Sequence, residues 1–168
     1  MRLHVAFRVV FVLAVVDYLV MVLWSLPQLT VAGLVPFDLR PFGYSPDEAR
    51  AYLAALGPDQ RAFYAGVQHR LDLVFPGLMA ASLILAYLLL FSRRVAGLAS
   101  VMAVAAAVFD WCENAAVGVM LREGAVVPDA MIVTASGWTV WKSVAVMLAL
   151  GIVILGLWQR WQGKRKQA

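Results

Sequence analysis

Four apolar stretches, approximately residues 5–26, 71–91, 95–120 and 131–158, are each long enough to cross about 30 Å of hydrocarbon as a helix rising about 1.5 Å per residue. Inside a bilayer a peptide group finds no water, so a crossing segment must satisfy its own hydrogen bonds, and stretches of this length predict an all-α, four-helix transmembrane bundle. The 168 residues are room for one domain, 1–168, and a chain with 63% hydrophobic and 14% charged residues is far from the balance of a water-soluble globule. The first stretch follows Met1-Arg2 as a secretory signal would. It exceeds a signal core in length and holds Asp17 near its middle, which predicts a retained helix.

Orientation follows from Lys and Arg, which resist translocation. With the N-terminus inside, the cytoplasmic pieces hold Arg2, Arg8, Arg93, Arg94, Arg160, Lys164, Arg165 and Lys166 and no acid. The opposite side mixes Arg40, Arg50, Arg61, Arg70 and Arg122 with Asp38, Asp47, Glu48, Asp59, Glu123 and Asp129. The expectation is a multi-pass protein of the bacterial cytoplasmic (inner) membrane, with both termini cytoplasmic, an outer loop 27–70 and a basic tail 159–168 that meets anionic lipid headgroups. The basic residues flank apolar segments and form no broad face, which argues against nucleic acid as a partner. Cys112 is the single cysteine, so no intrachain disulfide forms, and no Cys/His spacing of a structural zinc site occurs.

The outer loop reads as helical and ordered. Ser45-Pro46-Asp47-Glu48 has the signature of a capped helix start, Gly57-Pro58 ends that helix, and a second helix beginning near Asp59 runs into the second span, with Pro76 as a candidate kink.

Ionisable residues inside spans are the informative exceptions, since each costs roughly 2.5–3.5 kcal/mol at a helix centre on insertion scales. Asp17 sits in span one. Asp110, Glu113 and Asn114 fall on one face of span three by their i, i+3, i+4 spacing, and Ser136, Thr139, Lys142 and Ser143 form a stripe on span four. The helix entering span two presents Tyr64, Gln68 and Asp72 at i, i+4 spacing, with His69 beside them as a candidate partner for Asp72. Counted from each helix end, all lie in the loop-side half at matching depths, which predicts a shared interior site. Lys142 would face Asp17, Asp110 and Glu113, and one ammonium against three carboxylates predicts a shared proton suited to acid–base chemistry.

The run Gly43-Tyr44-Ser45, Glu48-Ala49, Leu56-Gly57, Arg61, Tyr64, Gln68, Asp72, Phe75-Pro76, then Asp110, Glu113-Asn114, Thr139 and Lys142, resembles a group of small bacterial four-span membrane proteins. The resemblance implies the same fold and brings no activity with it. The layout has a looser similarity, in topology alone, to the sterol isomerase and sigma-2-type receptor family.

Three functions compete. The first is an intramembrane binding protein or enzyme (isomerase, cyclase or hydrolase) for a prenyl or sterol-like small molecule drawn from the membrane lipids. In it Asp110 and Glu113 share acid and base roles, Asp17, Asp72 and Lys142 tune them, and Tyr64, Gln68, His69, Asn114, Ser136 and Thr139 support. The second is a proton-coupled transport component, against which the apolar runs Leu83–Leu90 and Val144–Leu157 speak. The third is a structural or assembly protein whose cluster sets helix register. A metal site of Asp72, Asp110, Glu113 and His69 ranks below the metal-free reading, because single carboxylates scattered over two helices match no recognised metal motif, and no other cofactor is called for. A homo-oligomer is left open.

Overall fold

The computed structural model describes residues 2–165, the side chain of Lys164 excepted. Four helices long and apolar enough to cross a membrane, Arg2–Leu29, Pro58–Leu90, Arg93–Val126 and Asp129–Gly163, make this an all-α integral membrane bundle. Among the described residues there is no strand, only a lone bridge between Val31 and Leu34.

Each span is longer than its apolar stretch, because backbone hydrogen bonding continues past the point where side chains turn polar. The second span is continuous with the loop from Pro58, and the fourth runs through Arg165. Residues 159–165 are therefore the end of a helix rather than a separate tail, while Lys166 lies outside the described residues.

Among the described residues winding loosens to the π form twice, at Met21–Ser25 and Tyr64–Gln68. Extra residues of this kind are associated with functional sites and have no reliable signature in a sequence. The second helix passes through Pro76 without a break.

Two cores stack along the bundle. Near the ends that carry both termini, Ala96, Ala99, Ala103 and Ala107 of the third span pack with Ala80, Leu83 and Tyr87 of the second and Ala149 of the fourth. Lipid tails are as apolar as these side chains, so the gain comes from close backbone approach, which small residues permit. Tyr87 donates to the Ala149 carbonyl at 2.8 Å, taking its polar tip out of hydrocarbon.

At the other end the loop forms a cap, its Leu29, Phe37, Tyr52, Leu53 and Tyr64 clustering with Met120 and Ile132 of the third and fourth spans. Its helix, Pro46–Ala55, starts with the expected reciprocal box: Glu48 N donates to Ser45 Oγ at 3.3 Å and Ser45 N to Glu48 Oε2 at 2.7 Å. These bonds hold the Glu48 carboxyl below its ordinary range. A depressed folded-state pKa adds stability above the ordinary carboxylate range, and that increment disappears as pH falls through the folded value.

The loop arginines are structural. Arg40 donates to the Val35 carbonyl at 3.1 and 2.7 Å and lies over the rings of Phe37, Tyr44 and Tyr52. Arg61 donates to the Leu53 carbonyl at 2.7 Å, and Arg50 joins Asp129 and the Val127 carbonyl. The four spans do not form a closed ring: the first packs on the second and has no comparable interface with the fourth.

Candidate functional site

Span three turns its Asp110–Asn114 segment inward, as the helical spacing predicts. Glu113 and Asn114 are buried, and the segment serves two neighbours at once. Toward the fourth span, Asp110 and Glu113 face Lys142. Toward the second, Asn114 Nδ2 donates to the Asp72 carbonyl at 2.8 Å and Trp111 Nε1 to the Leu73 carbonyl at 2.9 Å.

The first of those bonds answers Pro76. Proline has no N–H, so the carbonyl four residues before it, that of Asp72, loses its helical partner and would stand bare in a dry interior. Asn114 supplies the missing donor. Asn114→Leu is expected to lower bundle stability by about 1–3 kcal/mol, the cost of a buried unsatisfied acceptor, and Pro76→Ala in the same chain to recover most of the loss by restoring the helix's own bond. Thermal melting of the two variants in one detergent checks this; equal melting points for Asn114→Leu with and without Pro76→Ala would contradict it.

Lys142 Nζ lies among three carboxylates: Glu113 Oε2 in direct ion-pair contact, Asp38 Oδ1 at 3.4 Å and Asp110 Oδ1 at 3.7 Å. Glu113 is fully buried and its other oxygen accepts from Thr139 Oγ1. Tyr64, also fully buried, donates from its hydroxyl to Asp38 Oδ2 at 3.0 Å. A second chain of bonds runs alongside: Ser25 Oγ donates to Gln68 Oε1, and Gln68 Nε2 donates to Asp72 Oδ1 at 2.8 Å. Ser25 and Gln68 are the last residues of the two π-turns, so both irregular segments meet at this bond. Three carboxylates around one ammonium leave surplus negative charge, which protons or a cationic group must offset in a medium that solvates ions poorly.

Of the site residues expected from the sequence, Asp110, Glu113, Lys142, Thr139, Asn114, Asp72, Gln68 and Tyr64 come together. Asp17 does not. Its carboxylate has a buried oxygen with no hydrogen-bond partner among the described residues, and the first span reaches the network through Ser25 instead. Ser25 lies eight helical steps beyond Asp17, about 12 Å by the helical rise, so the depth match inferred for Asp17 fails by that distance.

His69 makes no bond to Asp72 among the described residues and lies against the third span near Gly118. Ser136 accepts from Tyr44 N at 2.8 Å, holding the loop rather than the charge cluster. The third carboxylate is Asp38, counted in the sequence as a solvent-side charge. It rides on the 3-10 turn Phe37–Leu39, and the fully buried Phe37 ring next to it pins that turn onto the bundle. The signal was its setting: Leu34-Val35-Pro36-Phe37 before it is too apolar for a freely solvated loop.

The cluster forms one wall of a cavity of about 400 Å³ between the first, second and fourth spans and the loop. Asp38, Gln68, Asp72, Asp110, Lys142 and Ser143 line the polar side; Tyr18, Met21, Leu26, Phe75, Val146 and Leu150 are among those lining the rest. Glu113 and Thr139 are not in the lining and stand behind Lys142. Among the described residues no group of three or more His, Cys, Asp or Glu has a metal-holding arrangement. No protein-family model, curated protein or solved structure matches the chain.

Proposed function

We propose that the cavity is an intramembrane acid–base site for a lipidic small molecule. The observation that carries this reading is the placement of Asp110, Asp72 and Lys142 on the polar side of a cavity whose other side is apolar. A small number of convergent polar groups in an apolar pocket is the usual form of a ligand site, and ionisable side chains in a bilayer interior are costly unless used.

The chemistry that fits best is a proton shift within the ligand, such as moving a carbon–carbon double bond. One carboxylic acid delivers a proton to one carbon, a carboxylate removes a proton from another, and no co-reactant is consumed. Asp110 and Asp72, on different helices and both facing the cavity, are the two proton carriers. Lys142 stabilises negative charge beside Asp110, and Glu113, anchored by Thr139, positions Lys142 from behind. In this reading Glu113 is a positioning residue and Asp72 takes the proton-transfer role that spacing alone assigned to Glu113. The membrane is the bacterial inner membrane, with both termini cytoplasmic and the loop outside.

A path for protons or ions is less well supported. Toward the terminal ends, the cavity's neighbouring space is lined by apolar side chains and Ser82, whose hydroxyl is engaged by the Leu78 carbonyl at 2.8 Å.

The test is isotopic. Purified protein in vesicles of total bacterial lipid, incubated in deuterated water, is expected to place deuterium on carbon in one lipid species, read by mass spectrometry. Asp110→Asn and Asp72→Asn, folded to the same extent as wild type, are expected to lose this by at least a hundredfold, within the usual range for removing a proton-transfer group. Absence of any protein-dependent carbon-bound deuterium would overturn the reading.

A further inference from the structure

A second cavity, of about 260 Å³, continues from the first toward the terminal ends and shares Tyr18, Phe75, Met79 and Leu150 with it. Joined end to end, the two make a long site with polarity at one end only. We propose that this composite site takes a linear single-chain amphiphile, with a hydrogen-bond-donating head at Asp38, Asp72 and Asp110 and its chain lying along Phe11, Leu83 and Ala86. The inference rests on the acid–base reading and specifies its ligand class.

The head chemistry follows from the lining. Asp38, Asp72 and Asp110 present acceptors, and the one ammonium in the wall, Lys142, is already held by Glu113, Asp38 and Asp110. An incoming headgroup therefore meets more acceptors than donors and surplus negative charge. A hydroxyl or amine satisfies these groups, whereas a carboxylate or phosphate adds charge of the wrong sign to a desolvated site.

The tail chemistry follows from the slot. Phe7, Phe11 and Phe75 wall it, and its volume lies below the roughly 300–1,000 Å³ of pockets that enclose a whole drug-sized ligand, so it takes a chain rather than a fused ring system.

The entry route follows from packing. Both cavities lie along the seam between the first and fourth spans, where the helices have no packed interface, so a chain dissolved in the bilayer can slide in sideways. A tail moving from lipid to this slot exchanges one apolar surrounding for another and gains little per methylene. Selection by chain length is therefore steric: affinity stays flat with added carbons until the slot is full and then falls.

The experiment uses the full chain in phosphatidylcholine nanodiscs, titrated with n-alkanols, n-alkylamines and n-alkanoates of eight to eighteen carbons and with cholesterol as a fused-ring alcohol, binding being read by native mass spectrometry. Alkanols or alkylamines are expected to bind at least tenfold more tightly than alkanoates of equal length and than cholesterol, with a sharp upper limit of chain length. Ala86→Trp, which fills the slot, lowers that limit; Leu83→Ala, which enlarges it, raises the limit, so the pair does not depend on either variant folding alone.

Equal binding of alkanoates, equal binding of cholesterol, or a length limit moved by neither variant would overturn the proposal. If alkanols and alkylamines fail to bind while Asp110-dependent deuterium incorporation persists, the ligand class is wrong and the acid–base reading stands. If both are absent, both fall.

Discussion

Lys142→Met is expected to destabilise the bundle by about 3–5 kcal/mol, the usual penalty for removing one partner of a buried ion pair and leaving the other charged. Three carboxylates from two elements converge on the ammonium of a third, the fourth span: Asp38 from the loop, Asp110 and Glu113 from the third span. Without it the three repel one another in a site that solvates them poorly. Methionine keeps the side-chain length and its apolar stem, so the loss reports charge rather than volume.

The companion variants make the case separable. Glu113→Gln alone leaves Lys142 with Asp38 and Asp110 and costs less. Lys142→Met with Glu113→Gln removes the closest pair together, and pairs replaced as a unit are often near neutral. The double variant is expected to recover much of the thermal midpoint while deuterium incorporation stays absent, since Lys142 supplies the only positive charge beside Asp110 among the described residues. If Lys142→Met melts like wild type, the ammonium is not holding the three elements together. If the double variant regains isotope exchange as well as stability, Lys142 has no part in the chemistry.

How much of this was readable beforehand depends on which physical rule governed each residue. The spans were, because hydrocarbon enforces backbone self-satisfaction over a fixed thickness and leaves a composition signal. The Asp110–Glu113–Asn114 face and the Thr139–Lys142 stripe were, because helical periodicity alone sets which side chains share a face. Asp38 was not, since charge in a loop is ordinarily solvated, and what buries it is the tertiary seat of Phe37, a contact between residues far apart in the chain.

Asp17 was misplaced, and Ser25 missed, for a related reason. Counting depth from a helix end assumes a known starting level, which the first span, packed chiefly on the second, does not share with the others, and the π-turn at Met21–Ser25 breaks the uniform winding that would place Ser25. Pro76 was recognised as a break in bonding, but its remedy, Asn114, lies on another helix. Asp38 and Ser25 escaped because neighbours distant in sequence hold them, while the Asp110–Asn114 face and the Thr139–Lys142 stripe were set by their own helices.

Gly43→Ala is the second variant expected to have a large effect, through the loop that brings Asp38 to Lys142. Gly43 has φ of +84°, a conformation that costs an L-residue about 1–2 kcal/mol. Its missing side chain also matters, because a Cβ there would lie 2.6 Å from Ser136 Oγ and 3.2 Å from Val140 Cγ2. Ser136 cannot simply turn away, since its hydroxyl accepts from Tyr44 N at 2.8 Å and that bond seats the loop on the fourth span. Strain and collision together are expected to cost at least about 2 kcal/mol and to lift the segment carrying Asp38 from the bundle, seen as faster hydrogen exchange at residues 37–44 and faster tryptic cleavage at Arg40. Adding Ser136→Ala removes the closer collision but leaves the tight approach to Val140 and the positive φ and forfeits the hydrogen bond, so the double variant is expected to regain only part of the loss. Ser136→Ala alone should cost about 0.5–1.5 kcal/mol, the ordinary worth of one hydrogen bond. Should Gly43→Ala leave exchange and cleavage at wild-type rates, the loop is seated by Phe37 and Arg40 alone, and Asp38 would keep its place at Lys142 without the close approach to Ser136.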